Sequence, residues 1–303
     1  MIEARDLRKE YGDFAAVEGS TFSVEQGEVF GIVGPNGAGK TTTLKMLAGL
    51  IEPTEGSVSV AGYDAGETEM RYRLGFLPEE SPLYEEMTAQ TYLHFFADLY
   101  DVDDETAQRR IDETLDELDL EHRERRIGDM SKGMKRKVAI ARSLINDPDV
   151  LIYDEPASGL DPLTTNYIIE FTNRLSEEGK TIVFSAHNLY HVETICDRVA
   201  IMNDGEIVAS GDLEQLQAEH GETTYHVYTT VELEDSVAKN GRYHRVVESM
   251  DAVDRTREAA EAAGGKVVDI RTEESSLEEV FLNVAEDQRA AAAEQTPQPE
   301  PEA

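Results

Sequence analysis

The chain has 303 residues, with 28 Lys and Arg against 63 Asp and Glu and a formal charge of -35. Such an excess repels nucleic acid phosphates and anionic membranes, whose binding draws on basic side chains, so DNA and RNA are excluded as expected partners. A single cysteine, Cys196, allows no internal disulfide and no zinc site and fits a reducing compartment, while 40% hydrophobic residues fit a folded chain of one or two domains.

The acidic excess runs along the whole chain rather than in one tail, which argues for a solvated surface suited to a very salty cytoplasm, that is, a halophilic protein. No signal-like apolar run opens the sequence, and VFGIVG and VLIY are too short to span a bilayer. A soluble chain without direct membrane insertion is therefore expected, and any membrane role is borrowed from a partner. From the N-terminus, IEARDL, AVEGSTFSV, GEVFGIVG and GSVSVAGY read as strands, with a helix, TTTLKMLAGL, after a Gly-rich loop. Residues 84–130 turn helical, with Ile111, Leu115 and Leu118 spaced along one face. DVLIYDEP, KTIVFSA and DRVAIMNDGEIVAS then restore the βα alternation of a parallel sheet covered on both faces. These stretches form a first domain over 1–220. A small α+β domain follows over 221–287, and 288–303, rich in Ala, Pro and Glu, is expected to be disordered.

The stretch GPNGAGKTT, from Gly34 through Pro35, Asn36, Gly37, Ala38, Gly39, Lys40 and Thr41 to Thr42, fits the pattern G-x-x-x-x-G-K-[ST] between a strand and a helix. Its glycines let backbone N–H groups converge on phosphate oxygens, Lys40 reaches the β and γ phosphates, and Thr41 ligates Mg2+. LIYDEP ends an apolar strand in two carboxylates, Asp154 for the Mg2+ shell and Glu155 to polarise water. His187 follows TIVFSA, at the carboxyl edge of the sheet where ligands gather, and a phosphate-sensing role outweighs a structural one. Its pairing with His191 resembles half of a zinc motif, but Asn188 and the lack of a third ligand argue against metal binding. Tyr11 can stack on adenine or simply pack. One short stretch stands apart: MSKGMKRKVAIARSL, Met130 to Leu144, carries Lys132, Lys135, Arg136, Lys137 and Arg142 and no acidic residue.

The order Tyr11, GPNGAGKTT, LPEE, MSKGMKRK, LIYDEP, SGLD and His187 resembles the ATP-binding subunit of an ABC transporter over about residues 1–220. The resemblance implies a P-loop NTPase fold of parallel sheet core, antiparallel β subdomain and helical subdomain. It implies ATP and Mg2+ as cofactors, and a homodimer or a paired ABC subunit closing around ATP. Within that dimer, Ser131 and Gly133 of the signature motif, usually LSGGQ, cover the γ-phosphate held by the other subunit, with basic neighbours offsetting the acidic surface. Asp161 of SGLD lies at the seam, and His187 is the γ-phosphate switch. Two residues depart from the pattern: Glu79 stands where a Mg2+-contacting Gln is usual, and Lys132 replaces a signature Gly. These departures, with SLEEVFLNV near the C-terminus, resemble the exporter branch that pairs with ABC-2 type permeases, whose integral membrane subunit would hold this chain at the inner face of the cell membrane. A soluble ABC ATPase of chromosome or translation machinery is the alternative, although the chain has no coiled-coil insertion and no second cassette. A nucleotide kinase would leave MSKGM and SGLD unexplained.

Overall fold

Alternating burial through Ile2–Tyr11 (β1) and Phe14–Val24 (β2) marks strands with one covered face. The two pair antiparallel, with Tyr11 opposite Phe14 at the turn. The chain then enters Val29–Val33 (β3), the Gly-rich loop, Lys40–Leu47 (α1), Glu55–Val60 (β4), Tyr63–Asp64 (β5), Thr68–Arg73 (α2) and Leu74–Leu77 (β6). Ala89–Leu99 (α3) and Asp104–Glu117 (α4) follow, then Lys132–Leu144 (α5), Val150–Asp154 (β7), Pro162–Glu177 (α6), Thr181–Ala186 (β8), Leu189–Ile195 (α7), Arg198–Asn203 (β9) and Glu206–Gly211 (β10). The computed structural model describes residues 1–239 and 241–284, and the stretch 288–303 expected to be disordered lies outside them.

Three strands, β3, β7 and β8, are buried at every position. Such continuous apolar runs belong in the middle of a parallel sheet, and they lie in one of six strands, ordered β10-β9-β3-β8-β7-β6 and parallel except for the β9–β10 hairpin. A separate antiparallel sheet, ordered β2-β1-β4-β5, shares its core with the central sheet through Phe22, Phe30, Ile32, Leu44 and Leu47. Truncating a fully buried leucine such as Leu47 to Ala would cost about 2–5 kcal/mol. The helices α3 and α4 start from capped N-termini, Thr88 in a capping box with Thr91 and Asp103 accepting from the Thr106 amide, and α4 buries Ala107, Ile111 and Leu115.

The chain divides into two compact units, Met1–Asp212 and Leu213–Ala303. Leu213–His220 (α8) therefore clusters with the second unit, whereas the sequence boundary at 220 leaves it with the first. Hydrogen bonds explain this: Gln217 donates to the Ser275 carbonyl at 2.9 Å and Asn283 to the His220 carbonyl at 2.9 Å. The unit continues through Thr223–Thr229 (β11), Val237–Lys239 (β12), Arg242–Val247 (β13), Met250–Ala262 (α9) and Val267–Glu274 (β14). Its antiparallel sheet runs β12-β13-β11-β14 over a small core of Val227, Val247 and Val253, and residues 277–284 are helical.

Candidate active site

The loop between β3 and α1 needs its glycines for space as well as torsion. Gly39, the N-cap of α1, has φ 101°, and a Cβ there would stand 2.5 Å from the Ala16 carbonyl oxygen. Gly34 is equally tight, since its Cβ would meet the Met202 carbonyl oxygen at 2.2 Å. No side chain caps α1, so the N–H groups of its first turn face the loop, where an anion can accept them. Lys40 Nζ donates to the carbonyls of Gly34 at 2.8 Å and Pro35 at 3.1 Å. Burial pushes its ammonium below the ordinary lysine pKa, opposed by Glu155, Asp154 and Glu79, so it is a poorly hydrated cation beside a cluster of carboxylates.

The parallel register of β7 and β8 sets Asp154 beside Ser185. Ser185 Oγ donates to Asp154 Oδ1 at 2.6 Å and accepts the Glu155 amide at 3.0 Å. The same Asp154 oxygen accepts from Thr41 Oγ1 at 3.2 Å, which brings the strand end to the first turn of α1. Glu155 leaves the strand with φ 47°, a left-handed backbone that costs a non-glycine residue about 1–3 kcal/mol and turns its carboxylate to the cleft. There Oε2 lies 2.6 Å from His187 Nδ1. With the Nδ1 proton donated to Glu155, the other ring nitrogen of the neutral His187 is left to accept from a water.

A cleft of about 620 Å3 is lined by Tyr11, Phe14, Ala16, the loop from Asn36 to Thr42, Glu79, Glu155, Ser158 and His187. Tyr11 and Phe14, cross-strand partners in the β1–β2 hairpin, are both exposed there and offer two aromatic faces. Among the described residues no group of three or more His, Cys, Asp or Glu could hold a metal alone. The hydroxyl of Thr41 and carboxylate of Asp154 nonetheless fit Mg2+, which takes few protein oxygens and completes its shell with water and phosphate. The carboxylates of Glu79, Asp154 and Glu155 grouped around Lys40 would also repel a bare polyphosphate, so a divalent cation suits the charge balance.

Six expected site residues are not in the lining of this cleft: Gly34, Pro35 and Asp154, which bond to Lys40 and Thr41 at its edge, and Ser131, Gly133 and Asp161. Ser131 is the N-cap of α5, its Oγ accepting the Met134 amide at 3.2 Å. Asp161 caps α6, accepting from the Thr164 amide at 3.1 Å and its hydroxyl at 2.6 Å, bonds that hold its carboxyl below the usual range. Gly133 lets the two helix starts meet, because a Cβ there would press on Thr164 Cγ2 at 3.1 Å. Four of the five basic residues of α5 are engaged within the chain. Lys135 pairs with Glu85 at 2.9 Å, Lys137 lies over the Tyr167 ring, and Arg142 donates to Tyr92 at 3.1 Å. Arg136 is buried, and burial draws its guanidinium down to about 10, which leaves it charged at neutral pH. Sequence reading missed Phe14, Ser185 and the burial of Arg136. Only the place of Phe14, three residues beyond Tyr11 across a Gly-Asp turn, carried a local signal.

The ABC transporter family model matches residues 17–158. The linearmycin resistance ATP-binding protein LnrL of Bacillus subtilis is 33% identical, over 94% of this chain and 98% of that protein. Nod factor export ATP-binding protein I of Burkholderia orbicola is 38% identical, over 69% of this chain and 70% of that one. A solved ATP-binding cassette, dimeric and in a post-hydrolysis state bound to ADP and Pi, aligns with a TM-score of 0.65 at 26% identity, over 70% of this chain and 99% of its own.

Proposed function

This chain belongs to the family of ABC transporter ATP-binding proteins, and from that premise we propose that it drives an ABC-2 type exporter as a homodimer or beside a paired cassette. It is an ATPase. The observation that carries the reading is the convergence of Lys40, Thr41, Asp154, Glu155 and His187 at the carboxyl ends of β3, β7 and β8. Export is favoured by the two relatives named for resistance and export.

In the proposed mechanism Tyr11 and Phe14 stack on the adenine, while Lys40 and the Gly34–Thr42 backbone bind the polyphosphate. Thr41 and Asp154 would hold Mg2+, with Glu79 beside them, and the ion would neutralise phosphate charge. Glu155, oriented by His187, takes a proton from the water that attacks the γ-phosphorus, as the bond to the β–γ bridging oxygen breaks and ADP departs. Ser131 and Gly133 act on the ATP held by the opposite chain, with Asp161 at the seam. Among the described residues no helix is long and apolar enough to cross a membrane, so attachment to the inner face of the cell membrane runs through the permease, and the acidic surface serves a salt-rich cytoplasm.

Affinity isolation of the Glu155→Gln variant with ATP from native membranes tests this. A multi-span permease should be recovered in fixed proportion. A variant that traps ATP yet comes only with soluble partners would favour the non-transport alternative.

A further inference from the structure

A buried arginine, Arg136 of α5, joins two segments that the chain separates widely. Its Nε donates to the Pro156 carbonyl at 2.7 Å, and Nη2 to those of Asp154 at 3.1 Å and Glu155 at 2.8 Å. Nη1 donates to the carbonyls of Pro78 at 2.7 Å and Glu79 at 3.0 Å, with Ser81 Oγ at 3.4 Å. A guanidinium has five N–H donors in a rigid fork, and here five main-chain carbonyls receive them. No acidic side chain bonds to it in this set. The charge is used to hold backbone.

That backbone is the one the chemistry depends on. Glu155 sits in the left-handed region at φ 47°, a conformation that persists only where the surroundings fix it. Its amide is held by Ser185 Oγ and its carbonyl by Arg136 and by the turn amide of Ser158 at 3.1 Å. The arginine grips the carbonyls before, at and after the strained residue, while its other arm grips Pro78 and Glu79 at the end of β6. The LPEE segment and the Glu155 turn therefore share one anchor, and neither shifts without straining the other.

We propose that Arg136 is a positioning residue for hydrolysis, holding the Glu155 main chain so that the carboxylate meets the attacking water, and tying that geometry to the Pro78–Glu79 segment. It does not line the nucleotide cleft, and it acts through Glu155. Lysine keeps the charge but has three donors on one nitrogen and cannot span the two segments. The inference rests on the ATPase reading of the same site.

The test uses the full chain with Arg136→Lys and Arg136→Gln, each made in the wild-type and Glu155→Gln backgrounds. Equilibrium ATP binding, kcat, KM and melting temperature are measured for all. Misplacing a catalytic group by about 1 Å costs roughly 10²-fold in rate, so kcat of Arg136→Lys should fall by that order with KM changed less than about twofold. In the Glu155→Gln background the same substitution should cost less than about twofold, because the group it positions is already gone. Equal losses in both backgrounds, or a rise in KM without a fall in kcat, would overturn the proposal. If Arg136→Gln does not fold, Arg136→Lys decides alone. Should Glu155→Gln hydrolyse ATP like the wild type, the failure would lie in the assignment of Glu155 as the base, whereas a wild type that binds ATP without hydrolysing it would overturn the ATPase reading itself.

Discussion

In the proposed mechanism two helix starts serve phosphate, and they are built differently. α1 begins on Gly39 with no side-chain cap, its lysine curled over the loop and a carboxylate-bearing strand end 3.2 Å from Thr41. α5 begins on Ser131, which caps its own helix, and its basic side chains bind Glu85, Tyr167, Tyr92 and the main chain around Glu155. The first start is open to an anion within its own chain. At the second, Ser131 Oγ accepts from Met134 yet keeps its hydroxyl proton to donate, so it can still serve an anion that arrives from outside. The proposed division into a cradle and a cover rests on which groups are already bonded.

The largest effects should come from the cradle. Glu155→Gln should lower kcat by about 10²–10⁴-fold, the range for a general base, while leaving ATP affinity nearly intact. Lys40→Ala should instead weaken ATP binding by roughly 10–100-fold, as expected for loss of a charged hydrogen-bond partner. Titration calorimetry separates the two, and equal loss of affinity in both variants would break the division between holding and hydrolysing.

The cradle was readable in sequence because its parts are contiguous: Gly34 to Thr42 run through the loop into the first turn of α1, and Asp154 and Glu155 are adjacent. What sequence could not give depends on register and distance. Ser185 reaches Asp154 only because β7 and β8 pair in one particular register. Arg136 looks like one more surface cation in a basic run, and its burial depends on three carbonyls from 154–156 and two from 78–79 arriving at one place. The assignment of α8 to the second unit similarly rests on bonds to Ser275 and Asn283, far along the chain.

Smaller effects sharpen the cover. Aspartate caps helices as well as serine but brings negative charge, so Ser131→Asp should keep the melting temperature while ATP trapping falls at least about tenfold. Ser131→Ala should lose about 1 kcal/mol of stability with the cap. If Ser131→Asp traps ATP normally, this helix start does not face phosphate. Removing either aromatic ring at the hairpin tip, Tyr11→Ala or Phe14→Ala, should weaken ATP binding by about 1 kcal/mol, and GTP binding about as much, since stacking reads little of base identity. Least specific is the surface charge of -35: molar KCl, which shortens screening to about 3 Å, should raise the melting temperature. An unchanged or lower melting temperature would remove the salt-adapted reading.

The division of labour between cradle and cover is tested most directly by mixing two defective chains. Ser131→Arg keeps an intact Gly34–Thr42 loop but blocks the cover, and Lys40→Ala keeps the cover but lacks the holding charge. In their heterodimer one complete site is rebuilt across the two chains, while both lesions fall in the other. Counting trapped ATP per purified heterodimer should give about one, because phosphate capture rests on donors converging from both chains, and neither variant alone should trap any. Trapping by Ser131→Arg alone, or none by the mixture, would contradict an α5 start that acts on the opposite chain's phosphate.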